Sequence, residues 1–156
     1  MATFKELLAN VGHVLPTIRR NADYVPDKIY DLKVMPYVGT KSILFSGFIH
    51  SAENNKRYSC QMAFYGIDDP ENSFPSASEN VCRCRCSCMF FRFVFGWANK
   101  IAGALQGAAF PPYVRKTPLP PAKGARPQWN PADLPGLCKH LIVFGNELMM
   151  SGRIKP

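Results

Sequence analysis

The sequence predicts an α+β fold: a small antiparallel β meander, then a C-terminal half with a hairpin, a C-terminal helix and a long proline-rich extended loop. Apolar residues recur at helical spacing near both ends of the 156-residue chain, whereas aromatic and β-branched residues concentrate between them. This length suits one core with appended segments. The predicted organisation is an N-terminal helix or arm over 1–27, the meander and an acidic loop over 28–80, and a metal-binding region over 81–156.

The first predicted element is a short amphipathic helix. Thr3 and Glu6 have the spacing of a capping box, in which each side chain binds the backbone amide of the other residue. Pro16 limits this helix because proline has no amide hydrogen to donate. Its apolar face packs either on its own domain or on a neighbouring subunit, and the sequence leaves both open. That face comprises Phe4, Leu7, Leu8, Val11 and Leu15.

Three strands are predicted after the helix, over 29–38, 42–50 and 56–67. Each is rich in aromatic and β-branched residues, and turn-forming clusters at 39–41 and 51–55 separate them. Because the connections are short, the economical arrangement is an antiparallel meander. An acidic, turn-prone loop then carries the chain to residue 81.

A run of alternating cysteines follows the acidic loop. If residues 81–95 form a strand or hairpin, as we expect, all four sulfurs lie on one face, because successive side chains of a strand point to opposite sides. The aromatic residues directly after the run are expected to carry this strand into the core, and a short helix is predicted over 98–109. The run comprises Cys82, Cys84, Cys86 and Cys88.

A proline-rich segment separates the cysteine run from the last helix. The composition of 110–135 favours extended backbone without internal hydrogen bonds, so this segment has little reason to fold alone. The final helix is predicted over 137–151, with Cys138 and His140 in its first turn. A helix N-terminus favours thiolate over thiol, which suits a metal ligand.

Cys86-Ser87-Cys88 and Cys138-Lys139-His140 together supply three thiolates and one imidazole. This is the ligand set of a four-coordinate tetrahedral zinc site, and four protein ligands leave no open position for a substrate. The sequence therefore predicts a structural zinc ion bound by Cys86, Cys88, Cys138 and His140. Spacing alone also allows Cys84 with Cys86, or Cys82 with Cys84, as the first pair.

The ligand pattern Cys-x-Cys followed by Cys-x-His resembles the SWIM-type zinc finger. That resemblance implies a first pair on a β-hairpin and a second pair at a helix start, and SWIM-like modules are associated with nucleic-acid binding. The chain departs from the family in one respect. The spacer of 49 residues between Cys88 and Cys138 is longer than usual and implies a proline-rich insertion.

Positive charge is concentrated in the second half of the chain. Residues 1–80 hold eight Lys and Arg against nine Asp and Glu, whereas residues 81–156 hold eleven against two. A nucleic-acid partner is therefore one hypothesis for this half, with stacking by Tyr113 or Trp129. The phosphate contacts would come from Arg83, Arg85, Arg92, Arg115 and Lys116.

The second hypothesis is a structural subunit of a larger assembly. The run 113–116 (YVRK) and the segment 135–141 (PGLCKHL), together with the cysteine and phenylalanine run, resemble small virion proteins of tailed bacteriophages. That resemblance implies a tail, baseplate or neck component that is made in the host cytoplasm and binds other subunits of the same assembly, in multiple copies. Extended arms of this composition gain order by lying on neighbours.

An enzyme is not expected, since no nucleophile elbow, phosphate-binding loop, dinucleotide fingerprint or zinc-protease motif occurs. His13 lies on a helical pattern and His50 at a strand end, where histidine is more often a surface residue than a general base. No apolar stretch is long enough to cross a bilayer, and the N-terminus does not have the pattern of a secretory signal. We therefore expect a chain that is not exported and has no membrane partner.

Overall fold

The computed structural model describes residues 1–14, 17–22, 28–51, 55–110, 130 and 132–156. None of the helices in these ranges has the length and apolar character needed to cross a membrane. The chain begins with the helices α1 (Phe4–Val14) and α2 (Thr17–Ala22), followed by the strands β1 (Ile29–Tyr37), β2 (Ser42–His50), β3 (Arg57–Tyr65) and β4 (Val81–Cys86). A π-helical turn (Phe91–Phe95) then leads into α3 (Gly96–Ile101), and the last helix is α4 (Lys139–Met150).

The four strands form one antiparallel sheet in the order β1-β2-β3-β4. The predicted α+β class and the three-stranded meander are therefore confirmed, and β4 extends the meander by one strand. In β4 the cysteines at 82, 84 and 86 are buried, while Arg83 and Arg85 on the opposite face are partly exposed. The alternation of the cysteine run thus places its sulfurs on the core side of the sheet.

Helix α4 packs on β3 and β4, and α1 joins the same core. The predicted capping box is present: the Thr3 amide donates to Glu6 Oε2 at 2.7 Å, and the Glu6 amide donates to Thr3 Oγ1 at 3.3 Å. The apolar face of α1 packs on this chain's own core, where Phe4 lies against Gly145 of α4. Large buried side chains from all three predicted segments form one core; they include Phe4, Leu7, Phe45, Phe64, Phe91, Leu141, Phe144 and Leu148.

The predicted strand over 81–95 is correct only as far as Cys86, and the aromatic run after it is helical. Its buried residues, Phe91, Val94, Phe95 and Ala98, recur at helical spacing. Burial of this face stabilises a helix over a strand, because alternating exposure would leave half of these aromatic rings in water. The helix predicted over 98–109 accordingly lies earlier and ends at Ile101. Most of the proline-rich segment 110–135 is outside the described residues.

Candidate metal centre

The first pair of sulfurs lies where β4 ends. Cys86 is the last residue of the strand, and Cys88 follows one turn before the π-helical segment. The Cys88 amide donates to Cys86 Sγ at 3.5 Å, and the Phe91 amide donates to Cys88 Sγ at 3.3 Å. Amide donors of this kind stabilise negative charge on sulfur. Backbone amides thus lie close enough to both sulfurs to stabilise them as thiolates.

The second pair lies at the start of α4. Cys138 is the N-cap residue, with extended backbone (φ −81°, ψ 168°), and His140 is the second residue of the helix. The helix N-terminus carries partial positive charge, which favours the thiolate of Cys138. Both side chains are buried. The sequence expectation that both residues lie at a helix start therefore agrees with the structure.

The structure brings the two pairs together. One ligand atom from each of Cys86, Cys88, Cys138 and His140 lies within 4.8 Å of all the others. His140 Nδ1 faces two of the sulfurs, 3.9 Å from Cys86 Sγ and 4.0 Å from Cys138 Sγ. A tetrahedral ion with metal–sulfur bonds of about 2.3 Å holds its sulfurs about 3.8 Å apart. The four donors thus lie within about 1 Å of the spacing that one tetrahedral ion imposes.

Electrostatics at the cluster also favour a bound cation. Hydrogen bonds from the Cys138 and Cys86 thiols lower the pKa of Cys88 far below that of an ordinary thiol, despite its burial. Burial raises the pKa of Cys86 and of Cys138. Burial therefore opposes ionisation of the clustered thiols in the absence of a counter-charge. A divalent cation at the centre would supply that charge and allow all three sulfurs to ionise.

The other cysteines of the run lie outside this group. Cys82 and Cys84 are fully buried in the apolar core, where burial raises the pKa of each thiol. Of the three registers that spacing allowed, the structure assembles the one that pairs Cys86 and Cys88 with the helix start. Within the described residues, no second group of metal-ligating side chains is brought together.

Asn99 of α3 supports the second ligand pair, and nothing in the sequence pattern singled it out. Its fully buried side chain accepts from the Gly136 amide at 2.8 Å and donates to the Gly136 carbonyl at 3.0 Å. It also contacts Cys84 Sγ at 3.4 Å. Asn99 therefore holds the backbone two residues before Cys138, in a way that satisfies both peptide groups of Gly136.

Two more asparagines hold the backbone of residues 134–136, which leads to Cys138. Asn130 Nδ2 donates to the Val94 carbonyl at 3.2 Å, and the Leu134 amide donates to Asn130 Oδ1 at 3.0 Å. From α1, Asn10 Nδ2 donates to the Pro135 carbonyl at 2.9 Å. Side-chain amides thus replace regular secondary structure as the backbone partners of residues 134–136.

Tyr58 and Cys60 of β3 also border the cluster and were not predicted as part of it. The Tyr58 ring lies against the His140 imidazole with centroids 4.4 Å apart. Cys60 Sγ lies 3.9 Å from Cys86 Sγ. His140 Nε2 is buried and has no hydrogen-bond partner among the described residues. In the sequence, Cys60 is distinguished only by its place among Tyr58, Met62 and Phe64, which alternate with smaller or polar residues along the third strand.

The basic residues considered for nucleic-acid contact have partners within the chain where they are described. Arg83 lies over the Tyr65 ring and Arg92 over the Phe93 ring. Arg85 lies over Phe110 and donates to the carbonyls of Gln106 and Ala108. The remaining candidates, Tyr113, Arg115, Lys116 and Trp129, are outside the described residues.

The two other histidines lie away from the cluster. His13 is in the last turn of α1, and the His50 ring contacts the Tyr30 ring with centroids 5.0 Å apart.

Comparison of the chain with protein-family models, with curated proteins and with solved structures gave no match.

Proposed function

We propose that Cys86, Cys88, Cys138 and His140 bind a structural zinc ion. Three sulfurs and one imidazole nitrogen favour a soft or borderline ion over magnesium or calcium, which prefer oxygen ligands. Iron–sulfur clusters usually take cysteines alone, so the imidazole favours zinc. The burial and mutual proximity of the four side chains support this assignment. With four protein ligands the ion has no open position, which fits a structural role.

The zinc ion would join the end of the sheet to the start of α4. Between its two ligand pairs lie 49 residues, 89 to 137, and closing a loop of that length costs a few kcal/mol of chain entropy. Structural zinc contributes on the order of 10 kcal/mol in isolated finger peptides. Metal binding can therefore offset loop closure and hold the second half of the chain in one shape.

We further propose that the chain is a structural subunit of a tailed-phage virion, in the tail, baseplate or neck. The observation that carries the assembly role is a set of exposed apolar side chains in the segment that follows Cys88. Met89, Trp97 and Ile101 are each more than half exposed, and Trp97 and Ile101 lie one turn apart on α3. Tryptophan in such a surface is typical of protein contacts. The resemblance of 113–116 and 135–141 to virion proteins supports the phage setting.

Metal analysis tests the first proposal, and particle incorporation tests the second. Purified chain is expected to contain one equivalent of zinc, and Cys138→Ser is expected to contain none. Tagged wild-type chain is expected to co-sediment with phage particles, and Trp97→Glu is expected to retain zinc but lose co-sedimentation. Phe74→Glu is the matched control, because Phe74 is equally exposed on a loop elsewhere. A wild-type chain that never associates with particles contradicts the assembly role.

Nucleic-acid binding by the basic second half of the chain is the alternative to the assembly role. Binding to DNA or RNA that weakens steeply with salt, and that falls when Arg115 and Lys116 are neutralised, would favour this alternative. Weak binding without that salt dependence would favour the assembly role.

A further inference from the structure

Cys60 lies beside the ligand cluster without belonging to it. It is fully buried on β3, directly opposite Cys86 in the β3–β4 register. The two sulfurs are 3.9 Å apart. A fifth thiol is therefore in contact with a sulfur that the proposed zinc ion needs.

The strand pairing places these two cysteines at a position that suits a disulfide. The Ser87 amide donates to the Ser59 carbonyl at 3.0 Å and the Ser59 amide donates to Ser87 Oγ at 2.9 Å, so the backbone polar groups of Ser59 and Ser87 face each other. The next pair along the ladder, Cys60 and Cys86, is then a non-hydrogen-bonded pair, whose Cα atoms are about 4.5 Å apart in antiparallel sheets. Disulfides span Cα separations of about 4.4 to 6.8 Å. The typical geometry of such a pair is therefore compatible with a disulfide.

We propose that Cys60 is the resolving thiol of a redox switch, in which hydrogen peroxide converts Cys86 from a zinc ligand into the partner of a Cys60–Cys86 disulfide. This inference rests on the proposed zinc site. It gives Cys60, which is not a ligand, a part in controlling metal binding, because Cys86 cannot bind the ion and form the disulfide at the same time.

The reaction balances with one peroxide for each disulfide. The Cys86 thiolate attacks one peroxide oxygen, the O–O bond breaks, and hydroxide leaves with the bonding pair, giving a sulfenic acid. Cys60 Sγ then attacks the sulfur of that sulfenic acid. The S–S bond forms, the S–O bond breaks, and the departing hydroxide takes the thiol proton to leave as water. The two cysteines lose two electrons in total, and the peroxide gains them.

A small oxidant can reach three of the four proposed ligands, and the fourth, Cys86 Sγ, lies within 4.8 Å of their ligand atoms. A cleft of about 160 Å³ is lined by the ligands Cys88, Cys138 and His140, together with side chains of α2 and the segment before the π-helical turn. Peroxide is smaller than this space. Loss of the Cys86 thiolate leaves three ligands, and a three-ligand site holds zinc less tightly than the closed four-ligand site.

The test compares wild-type chain with Cys60→Ala, and Cys82→Ala serves as a matched control because Cys82 is equally buried but lies outside the cluster. Zinc is measured first, in unoxidised protein, then after peroxide, and again after a thiol reductant and added zinc. Tandem mass spectrometry of digested, alkylated protein identifies the disulfide. Circular dichroism verifies folding, and Cys60→Ser is the second variant should Cys60→Ala not fold.

All three proteins are expected to contain one zinc before oxidation. Wild type and Cys82→Ala should release zinc with peroxide, form the Cys60–Cys86 disulfide and regain zinc after reduction. Cys60→Ala should regain roughly tenfold less, because an unresolved sulfenic acid proceeds to irreversible sulfinic acid. A disulfide confined to Cys88 and Cys138, or full recovery by Cys60→Ala, overturns the switch and leaves the zinc site intact. Absence of zinc before oxidation contradicts the proposed zinc site itself.

Discussion

Two halves of one cysteine run behave differently. Cys82 and Cys84, the apolar pair, lie in the core among large apolar side chains, whereas Cys86 and Cys88, the ligand pair, lie with Cys138 and His140. The residue type and the spacing are the same, and Cys82, Cys84 and Cys86 lie on the same face of β4. The two pairs of cysteines differ in which part of the fold lies opposite them across the core. The start of α4 reaches only the end of the strand, so a cysteine becomes a candidate ligand through tertiary contact, not through its motif.

Removal of a ligand from the α4 side should have the largest effect and is the strongest test of this difference. Cys138→Ser is expected to abolish zinc binding and to lower the free energy of unfolding by several kcal/mol, since structural zinc contributes on the order of 10 kcal/mol in finger peptides. Thermal unfolding and metal analysis measure both effects. Hydrogen exchange should increase more in 86–101 and 132–140 than in β2 and β3. Unfolding that is unchanged after chelation and refolding would refute this expectation.

The next largest effect on stability is expected at Asn99, whose side chain holds the backbone of Gly136, two residues before Cys138. Asn99→Ala is expected to lower the unfolding free energy by about 3 kcal/mol, because it leaves the buried amide and carbonyl of Gly136 without partners. Zinc affinity should fall with it, as measured by competition with a chelator. Asn10→Ala is the matched control, since it removes a single hydrogen bond to the same segment. Equal losses in the two variants would contradict a special role for Asn99.

A change in the apolar core away from the cluster should affect stability but not the metal. A Cβ at position 145 would overlap the Phe4 ring, so Gly145→Ala is expected to cost about 2 kcal/mol through overpacking. Gly12→Ala, where no atom lies within 4 Å of the added Cβ, should instead stabilise α1 by up to about 1 kcal/mol. Denaturant unfolding measures both values. A change in zinc content in either variant would show that the core and the cluster are coupled.

The apolar pair itself should tolerate replacement. Cys82→Ala is expected to cost about 1 kcal/mol for the lost core contacts and to keep the full zinc content, whereas Cys86→Ala should lose the metal. Metal analysis of the two variants is the direct comparison. Zinc loss in Cys82→Ala would mean that the ion uses a different register.

The smallest expected effect on stability comes from the ion pair between Lys41 and Asp68 at the protein surface. The Lys41 ammonium donates to Asp68 at 2.7 Å and holds the pKa of that carboxyl below its ordinary value. A lowered folded pKa means that the stabilisation is present above the ordinary carboxyl pKa and is lost as the pH falls below it. Both side chains are more than half exposed, so the effect should be small and screened by salt. The difference in stability between wild type and Asp68→Asn should shrink on acidification; a constant difference would exclude the ion pair as its cause.

Short-range patterns accounted for much of the fold. The predicted strands over 29–38, 42–50 and 56–67 agree with β1, β2 and β3 to within two residues at each end, because their periodicity and turn residues are local properties. The capping box of α1 is equally local. The aromatic run after Cys86 was misassigned, because its residues favour both strand and helix and only the shape of the core selects the helix.

The sequence by itself determined the meander, the two terminal helices and the two residue types, cysteine and histidine, of the candidate metal site. The tertiary structure alone decided which cysteine pair meets Cys138 and His140, gave Asn99 its place at Gly136 and set Cys60 opposite Cys86. The physical reason is the distance along the sequence between the residues that interact. Secondary structure depends on neighbours a few positions away, whereas a ligand cluster depends on where packing brings residues that lie 50 or more positions apart in this chain.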